Sequence, residues 1–533
     1  MSLSIEDIKA VSKGIASKND KKQYNNILKL LNQYSQVTDD EGEFEKVEPT
    51  MRYLTVALFQ IFKKLFTRGQ LNPSKAANDQ ENLFFGWCRK NYESFKAKLL
   101  HFISTLSFEN SLVLDSLDVY FQCIELESVY YASKEGAPFF PNKTLKKLIL
   151  ALFQSTIDND VDPTSGESIN VVVREFSEKY YKKYVDIQFY FQSELSQVCN
   201  DESVSLAAIP HEELMSKWLT IMNHDNHYSS KDADLDIFVP QPPTAMENEA
   251  KFKSNFEKNW IWFLSLSQLT TPQYKTTLLI LHKRVIQHFQ TPTKLMDFLT
   301  DSYNVGGVVS ILSLNGLFEL MRRYNLEYPN FYTKLYQLID ENLMHVKYRS
   351  RFLRLTDTFL SSTHLSANLV ASFIKKLARL TLAAPPAAIV SVIPFVYNLL
   401  KKHPNCMIML HDPDYIADPF ATAEQNEKLK LYKQQYTDPF DFEEPNPELS
   451  RALGSSLWEL ESLTSHYHPN VATLAKIFGQ PFKKLSYNVE DFLDWSYDSL
   501  IAAEASRKLK VLPALEFEDT GALFGGYLEN VEW

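Results

Sequence analysis

Metal-dependent or nucleophilic chemistry in this chain would have to be built from twelve histidines and four cysteines. Cys88, Cys123, Cys199 and Cys406 lie far apart with no CxxC pair, whereas thiolate zinc sites use close-set pairs. His224 and His227 flank Asp225 in a polar stretch with no second ligand pair nearby, so they read as exposed linker histidines. In KKHPNCMIMLH, His403, Cys406 and His411 have offsets of three and five, loose for zinc; a helix end and a buried thiol fit better. His211-Glu212-Glu213 opens like a zincin helix, but Met215 stands where the second histidine would be. There is no GxxxxGK[ST], GxGxxG or GxSxG, and glycine numbers only 14 in 533 residues, too few for phosphate-cradling loops to be common. We therefore assign no catalytic residue, no metal site and no cofactor, and expect a protein that is not an enzyme.

The elements that would position any site read as helices. Leu54, Leu58, Ile61, Phe62 and Leu65 line one helical face, as do Leu145, Leu148, Ile149, Leu152 and Phe153. A third stripe, Leu369, Phe373, Ile374, Leu377 and Leu380, leaves Lys375, Lys376 and Arg379 facing away. The run Ala383–Leu400 is apolar but holds Pro385, Pro386 and Pro394. It falls short of the ~20 residues a spanning helix needs and predicts a buried helix entered through Pro-Pro. No alternating strands appear. Successive amphipathic helices predict an all-α fold, a HEAT-like helical-repeat solenoid in two halves. Residues 38–49 read as an acidic loop within N-terminal repeats spanning 1–222. Residues 223–250 read as a polar linker, 251–480 as a C-terminal helical domain and 481–533 as a tail. Asn446-Pro447 looks like a helix start, Ser456 and Glu459 have capping-box spacing, and Gly454 closes a preceding short helix.

Charge bounds the partners. The net charge is −11 and the pI about 5.7, the reverse of the basic footprint of a protein that grips nucleic acid alone. Protein partners are expected, with RNA contact secondary through lysine patches, and no DNA or membrane partner. The mixed run of Lys179, Lys182 and Lys183 with Tyr180, Tyr181 and Tyr184 reads as the wet face of a helix. The scattered cysteines fit a reducing compartment, and MSLSIEDIKAVSKG has no apolar signal core.

Residues 306–478 carry a more specific pattern: LNGLF, YPNFYTKLY, FLSSTHL, FIKKLARL, APP, YNLLKKHP, DPF, SSLWEL and HYHPNVA. Together they resemble the domain named after the CCAAT-binding factor, and within that group the nucleolar complex protein four family, most of all its budding-yeast versions. The resemblance implies a non-catalytic scaffold of the nucleolus that acts in small-ribosomal-subunit biogenesis. It implies a stable complex with nucleolar protein fourteen, alongside other assembly factors of the early pre-ribosomal particle that processes the small-subunit RNA. No lysine/arginine block resembles a strong import signal, so entry to the nucleus with a partner is expected. A helical-repeat transport or cargo adaptor is the alternative.

The candidate partner-binding residues come from two regions. Asp438, Phe440 and Trp458 combine an acidic, proline-bounded loop with an aromatic anchor, which could dock a basic helix or tail; taken alone, Trp458 reads as core before interface. His466 and His468 in SHYHP are placed at the end of the helix begun by SSLWELESL, where a histidine favours the dipole. In the tail EDTGALFGGYLENVEW, the apolar Phe524, Tyr527 and Trp533 sit in an acidic setting, ready to pack on the chain itself or on a partner.

Overall fold

The computed structural model describes the chain except residues 1–3, 18–22, 38–40, 72–78, 108–109, 133–136, 157–159, 162–167, 201–205, 207–208, 229–233, 267–268, 326–327, 329, 413–419 and 509–533. The regular secondary structure of the described residues is helical apart from a two-residue antiparallel pair, Asp160–Val161 with Ser168–Ile169, and an isolated bridge. None of their helices is long and apolar enough to cross a membrane. The chain forms two compact units that divide between Glu327 and Tyr328, not at 223–250.

The first unit contains α1 (Ile5–Ser17), α2 (Asn26–Gln33), α3 (Glu41–Thr67), α4 (Asp79–Thr105), α5 (Ser111–Tyr130), α6 (Asn142–Gln154) and α7 (Val171–Phe176). It continues through α8 (Val185–Asn200), α9 (His211–Met222), α10 (Glu249–Leu264), α11 (Thr271–Ile280), α12 (Met296–Asn304) and α13 (Gly307–Tyr324). From α1 to α13 each odd-numbered helix up to α11 packs on the next odd one, and from α2 to α10 the even ones do the same. Two stacked rows follow, the packing of a helical-repeat array. The stripe Leu54, Leu58, Ile61, Phe62 and Leu65 is buried, as is that of α6. Asn110 and Asn170 start α5 and α7 by accepting the N–H groups of Val113 and Val173. Gly316, in LNGLF, sits mid-helix because a Cβ there would come within 2.7 Å of Leu299 on α12.

Two expectations for this unit are corrected. The acidic run read as a loop over 38–49 is helical from Glu41 onward. The stretch 223–250 is no linker where it is described. Asp186, fully buried, accepts the N–H groups of Phe238 and Val239, and Tyr228 donates to the Met246 carbonyl. Phe238 packs edge-on against Phe121 and Tyr184. A carboxylate buried in α8, 50-odd residues away, cannot be seen from a polar local composition.

The second unit contains α14 (Phe331–Gln337), α15 (Arg349–Phe359), α16 (Ala367–Leu380), α17 (Pro386–Lys402), α18 (Ala423–Gln434), α19 (Trp458–Ser462), α20 (Pro469–Ala475), α21 (Glu490–Leu493) and α22 (Tyr497–Ala505). Pro385 caps α17 and Pro386 occupies its first position, a place where the missing N–H costs nothing. Every residue of α17 from Pro386 to Leu400 is buried, so the apolar run is the central helix of its unit. Much of its cover comes from residues assigned to the tail. Tyr397 donates to the Lys484 carbonyl, Asn398 exchanges two hydrogen bonds with the Tyr487 backbone, Lys401 donates to the Phe482 carbonyl and Ser391 to that of Phe492. Residues 482–493 thus run as a strap antiparallel to α17.

Candidate functional site

Helix α16 is set by Ser366, whose side chain accepts the Leu369 N–H. Its apolar stripe is buried, but so are Lys375 and Lys376, which the sequence placed on the outer face. The acidic segment that begins at Asp438 lies along them. The Asp438 carboxylate meets the Arg379 guanidinium at 2.8 Å and the Lys375 ammonium at 3.4 Å. Ten residues on, Glu448 accepts from the Ser366 hydroxyl, so the segment runs antiparallel to α16 from its C-terminal to its N-terminal end. Between these points Phe440 stands 5.8 Å from both Lys375 and Arg379, and Phe442 stands 5.7 Å from Lys376. The basic helix that this acidic loop docks on is therefore the chain's own.

Glu459 locks the arrangement. Its carboxylate is fully buried, 2.7 Å from the equally buried Lys375 ammonium and 2.7 Å from Arg379 Nε. Lys375 also donates to the Ser456 carbonyl at 2.6 Å. The expected Ser456–Glu459 capping box is absent: α19 starts at Trp458, and both residues hold Lys375 instead. Asp438 accepts from the Ser455 hydroxyl, the Phe440 N–H and the Trp458 indole N–H. Burial raises the Asp438 pKa, but these donors and Lys375 outweigh it and hold the carboxyl below its usual range. Trp458 lies 5.0 Å from Arg379 and 5.5 Å from Lys375, yet 43% of it faces solvent. It is neither core nor free: one edge is tied down and one face is offered outward. Beside it opens a cleft of about 280 Å³ lined by Ile408, Met409, Leu410, Tyr436, Ser455 and Ser456, among others.

The other expected site residues fall elsewhere. His466 closes the 3-10 turn Leu463–Ser465 that continues α19, as expected, whereas His468 starts the next helix. His468 caps α20, its Nδ1 accepting the Asn470 N–H, while His466 Nδ1 accepts the His468 N–H. His466 uses Nδ1 as an acceptor and burial lowers its pKa, so it does not serve as the charged partner of the dipole. Between them Tyr467 is 80% exposed. Asn446-Pro447 forms no helix; the Asn446 side chain accepts the Glu448 N–H in a local turn. Phe524, Tyr527 and Trp533 lie outside the described residues. Lys375, Arg379 and Glu459 were missed because their partners lie 59 to 84 residues away in sequence; Ser455 bonds Asp438 from 17 residues away, across a loop that composition does not show to be folded back.

The residues screened for chemistry are occupied by packing. His403 bonds the Leu360 carbonyl and Cys406 the Ala367 carbonyl. Burial pushes the thiols of Cys88, Cys123 and Cys199 up to about 12 and that of Cys406 to about 11, so none is a thiolate near neutral pH. His224 and His227, read as exposed, are buried with their tilted rings 4.2 Å apart, and His288 lies 4.9 Å from His227. Tyr180 stacks on Phe121 at 3.6 Å and Tyr181 is fully buried, while Lys179 pairs with Asp118 and Glu175. The run is therefore not a wholly wet face: Tyr181 is core and Tyr180 and Tyr184 are half-buried. Among the described residues no group of three or more His, Cys, Asp or Glu is arranged to hold a metal ion.

The two stacked helical rows and the acidic segment fastened along α16 define a helical-repeat protein. Two family models match it: the CBF/Mak21 family over residues 310–475, and the TPR repeats of nucleolar complex protein 4-like proteins over residues 4–204. The N-terminal repeats match a TPR description, in keeping with the expected helical-repeat solenoid. Nucleolar complex protein 4 of Saccharomyces cerevisiae is 61% identical over 533 residues, covering 97% of this chain and 95% of the relative. An uncharacterised protein of Schizosaccharomyces pombe is 37% identical over 87% of this chain and 89% of its own length. The nucleolar complex protein 4 homolog of Gallus gallus is 33% identical over 87% of this chain and 88% of its own. The chain belongs to the nucleolar complex protein 4 family.

Proposed function

We propose that this protein is a non-catalytic scaffold of the nucleolus that serves ribosome assembly, and specifically the small subunit. What carries the reading is the near-full-length relation to a yeast protein named for a nucleolar complex. The geometry supports a scaffold: the motif-bearing region spends its charged residues on internal fastening, which leaves a rigid surface and no reactive group. On this reading the stable partner is nucleolar protein fourteen, within the early pre-ribosomal particle, where pre-rRNA processing depends on the assembled pair; any rRNA contact is secondary. The outward face of Trp458 and the adjoining cleft take an apolar side chain of that partner, since a half-exposed aromatic held by a buried network loses little freedom on binding.

The test is recovery of the tagged chain from nucleolar extract under a high-salt wash. One assembly factor retained one to one is expected, and Trp458→Asp, with an unchanged melting temperature, should cut its recovery at least tenfold. Undiminished recovery by that variant would remove Trp458 from the interface. Many substoichiometric cargoes in place of one partner would overturn the scaffold reading itself.

A further inference from the structure

Three packed helices of the first unit carry an uneven charge. Helix α8 packs on both α6 and α10. The three hold six lysines, Lys143, Lys146 and Lys147 on α6 and Lys251, Lys253 and Lys258 on α10, against four carboxylates. Three of those carboxylates, Asp186, Glu194 and Glu257, are buried, which leaves Glu249 alone at the surface, paired with Lys253. The whole chain has 66 acidic residues against 55 Lys and Arg, so this local excess runs against its composition. The two sets of lysines flank one face of α8. Burial raises the Glu194 carboxyl, and Lys146 from α6 and Lys251 from α10 both act against that rise. Lys143, Lys251 and Lys258 are exposed, and none forms an ion pair with a carboxylate among the described residues. Lys147 keeps 55% of its side chain in solvent beside Glu93, an exposed pair of little strength.

The same face offers no apolar anchor. No large hydrophobic side chain of α6, α8 or α10 is exposed, whereas protein interfaces are built round aromatic and aliphatic anchors and are poor in lysine. With ~8–10 Å between packed helices, the lysines of α6 and α10 stand roughly 16–20 Å apart across α8, too far for one small anion and suited to a polymer. Lysine ammoniums are point charges that hold phosphates without reading bases. We propose that α6, α8 and α10 form a landing face for the sugar–phosphate backbone of RNA, held by Lys143, Lys146 and Lys147 on one side of α8 and by Lys251 and Lys258 on the other. Binding is independent of base sequence and falls with salt. With five phosphates neutralised on a single strand, the logarithm of the affinity falls against that of the salt with a slope of about −3.5. That this RNA is pre-ribosomal rests on the function proposed above; the contact itself does not.

The purified full-length chain is titrated onto a labelled single-stranded RNA of about 30 nucleotides, and binding is followed by fluorescence anisotropy between about 50 and 200 mM salt. The triple variant Lys143→Gln, Lys251→Gln, Lys258→Gln is expected to bind at least tenfold more weakly at about 100 mM salt and to flatten the slope by about 2, at ~0.7 per lysine. Should its folding suffer, the charge-preserving triple Lys143→Arg, Lys251→Arg, Lys258→Arg decides, because it should bind within twofold of wild type. A control triple on α1 and α3, Lys9→Gln, Lys13→Gln, Lys63→Gln, should change the affinity less than twofold. Four results overturn the proposal: no RNA bound by the wild-type chain at the lowest salt, equal losses in the two glutamine triples, loss of binding in the arginine triple, or polyglutamate of equal charge bound as tightly as RNA, which would make this a face for an acidic protein segment. None of the four touches the one-to-one recovery of an assembly factor, so the scaffold reading stands or falls separately.

Discussion

Replacing Lys375 by Met tests the fastening of the acidic segment most directly. The ammonium is fully buried and bonds Glu459, the Ser456 carbonyl and, more distantly, Asp438. Methionine fills a similar volume but leaves Glu459, itself fully buried, with Arg379 as its one cation. Removing one partner of a buried ion pair costs roughly 3–5 kcal/mol. Because Arg379 remains at 2.7 Å, we expect the lower end, about 3 kcal/mol. For a unit of this size that lowers the melting temperature by ~6–12 °C, at ~2–4 °C per kcal/mol. The assay is guanidinium unfolding followed by calorimetry and by Trp458 fluorescence, whose indole shares the Asp438 carboxylate. The double variant Lys375→Met, Glu459→Leu removes both charges and should be more stable than the single one. A single variant within 1 kcal/mol of wild type, or a double variant that loses the sum of both effects, would refute the idea that this network holds residues 438–459 in place.

The pair of Lys96 and Glu127 in the first unit, 3% and 2% exposed and 2.5 Å apart, with Thr144 on the second carboxylate oxygen, should behave alike. Lys96→Met is expected to lose ~3–5 kcal/mol in urea unfolding, with no loss of helix content before the transition. The three neighbouring histidines make the same unit acid-sensitive. Burial, chiefly, lowers His224 to about 3, His288 to about 4 and His227 well below its usual value, with Lys182, Arg284 and Lys253 adding repulsion against Asp225 and Glu249. The unfolded histidines take up protons below pH ~6.5 while the folded ones do not, so stability is full above that pH and falls as pH drops toward 4. The slope approaches about 1.4 kcal/mol per pH unit for each histidine. His227→Phe should flatten it in unfolding curves collected from pH 7 to 4, and an unchanged slope would count against the cluster as the source.

Local physics made part of this molecule legible from its residues alone. The period of Leu54 to Leu65, the Pro-Pro entry to α17 and the unbroken apolar run behind it depend only on neighbours within a few turns, and all three take the structure expected. So does the all-helical class, because scarce glycine and 3.6-residue periodicity act along the chain. What a charged residue does depends on where its opposite lies. Lys375 and Lys376 looked like a wet face because Asp438, Glu459 and Tyr336 are 40–84 residues distant. His224 and His227 looked like linker residues because the aromatic cage that buries them comes from Tyr181, Phe256 and His288. His468 was given the wrong end of a helix because the boundary between α19 and α20 was not visible in composition, whereas His466 does close the preceding helical segment. Burial turns charge from a solubility device into a fastener, and burial is settled only when distant segments meet.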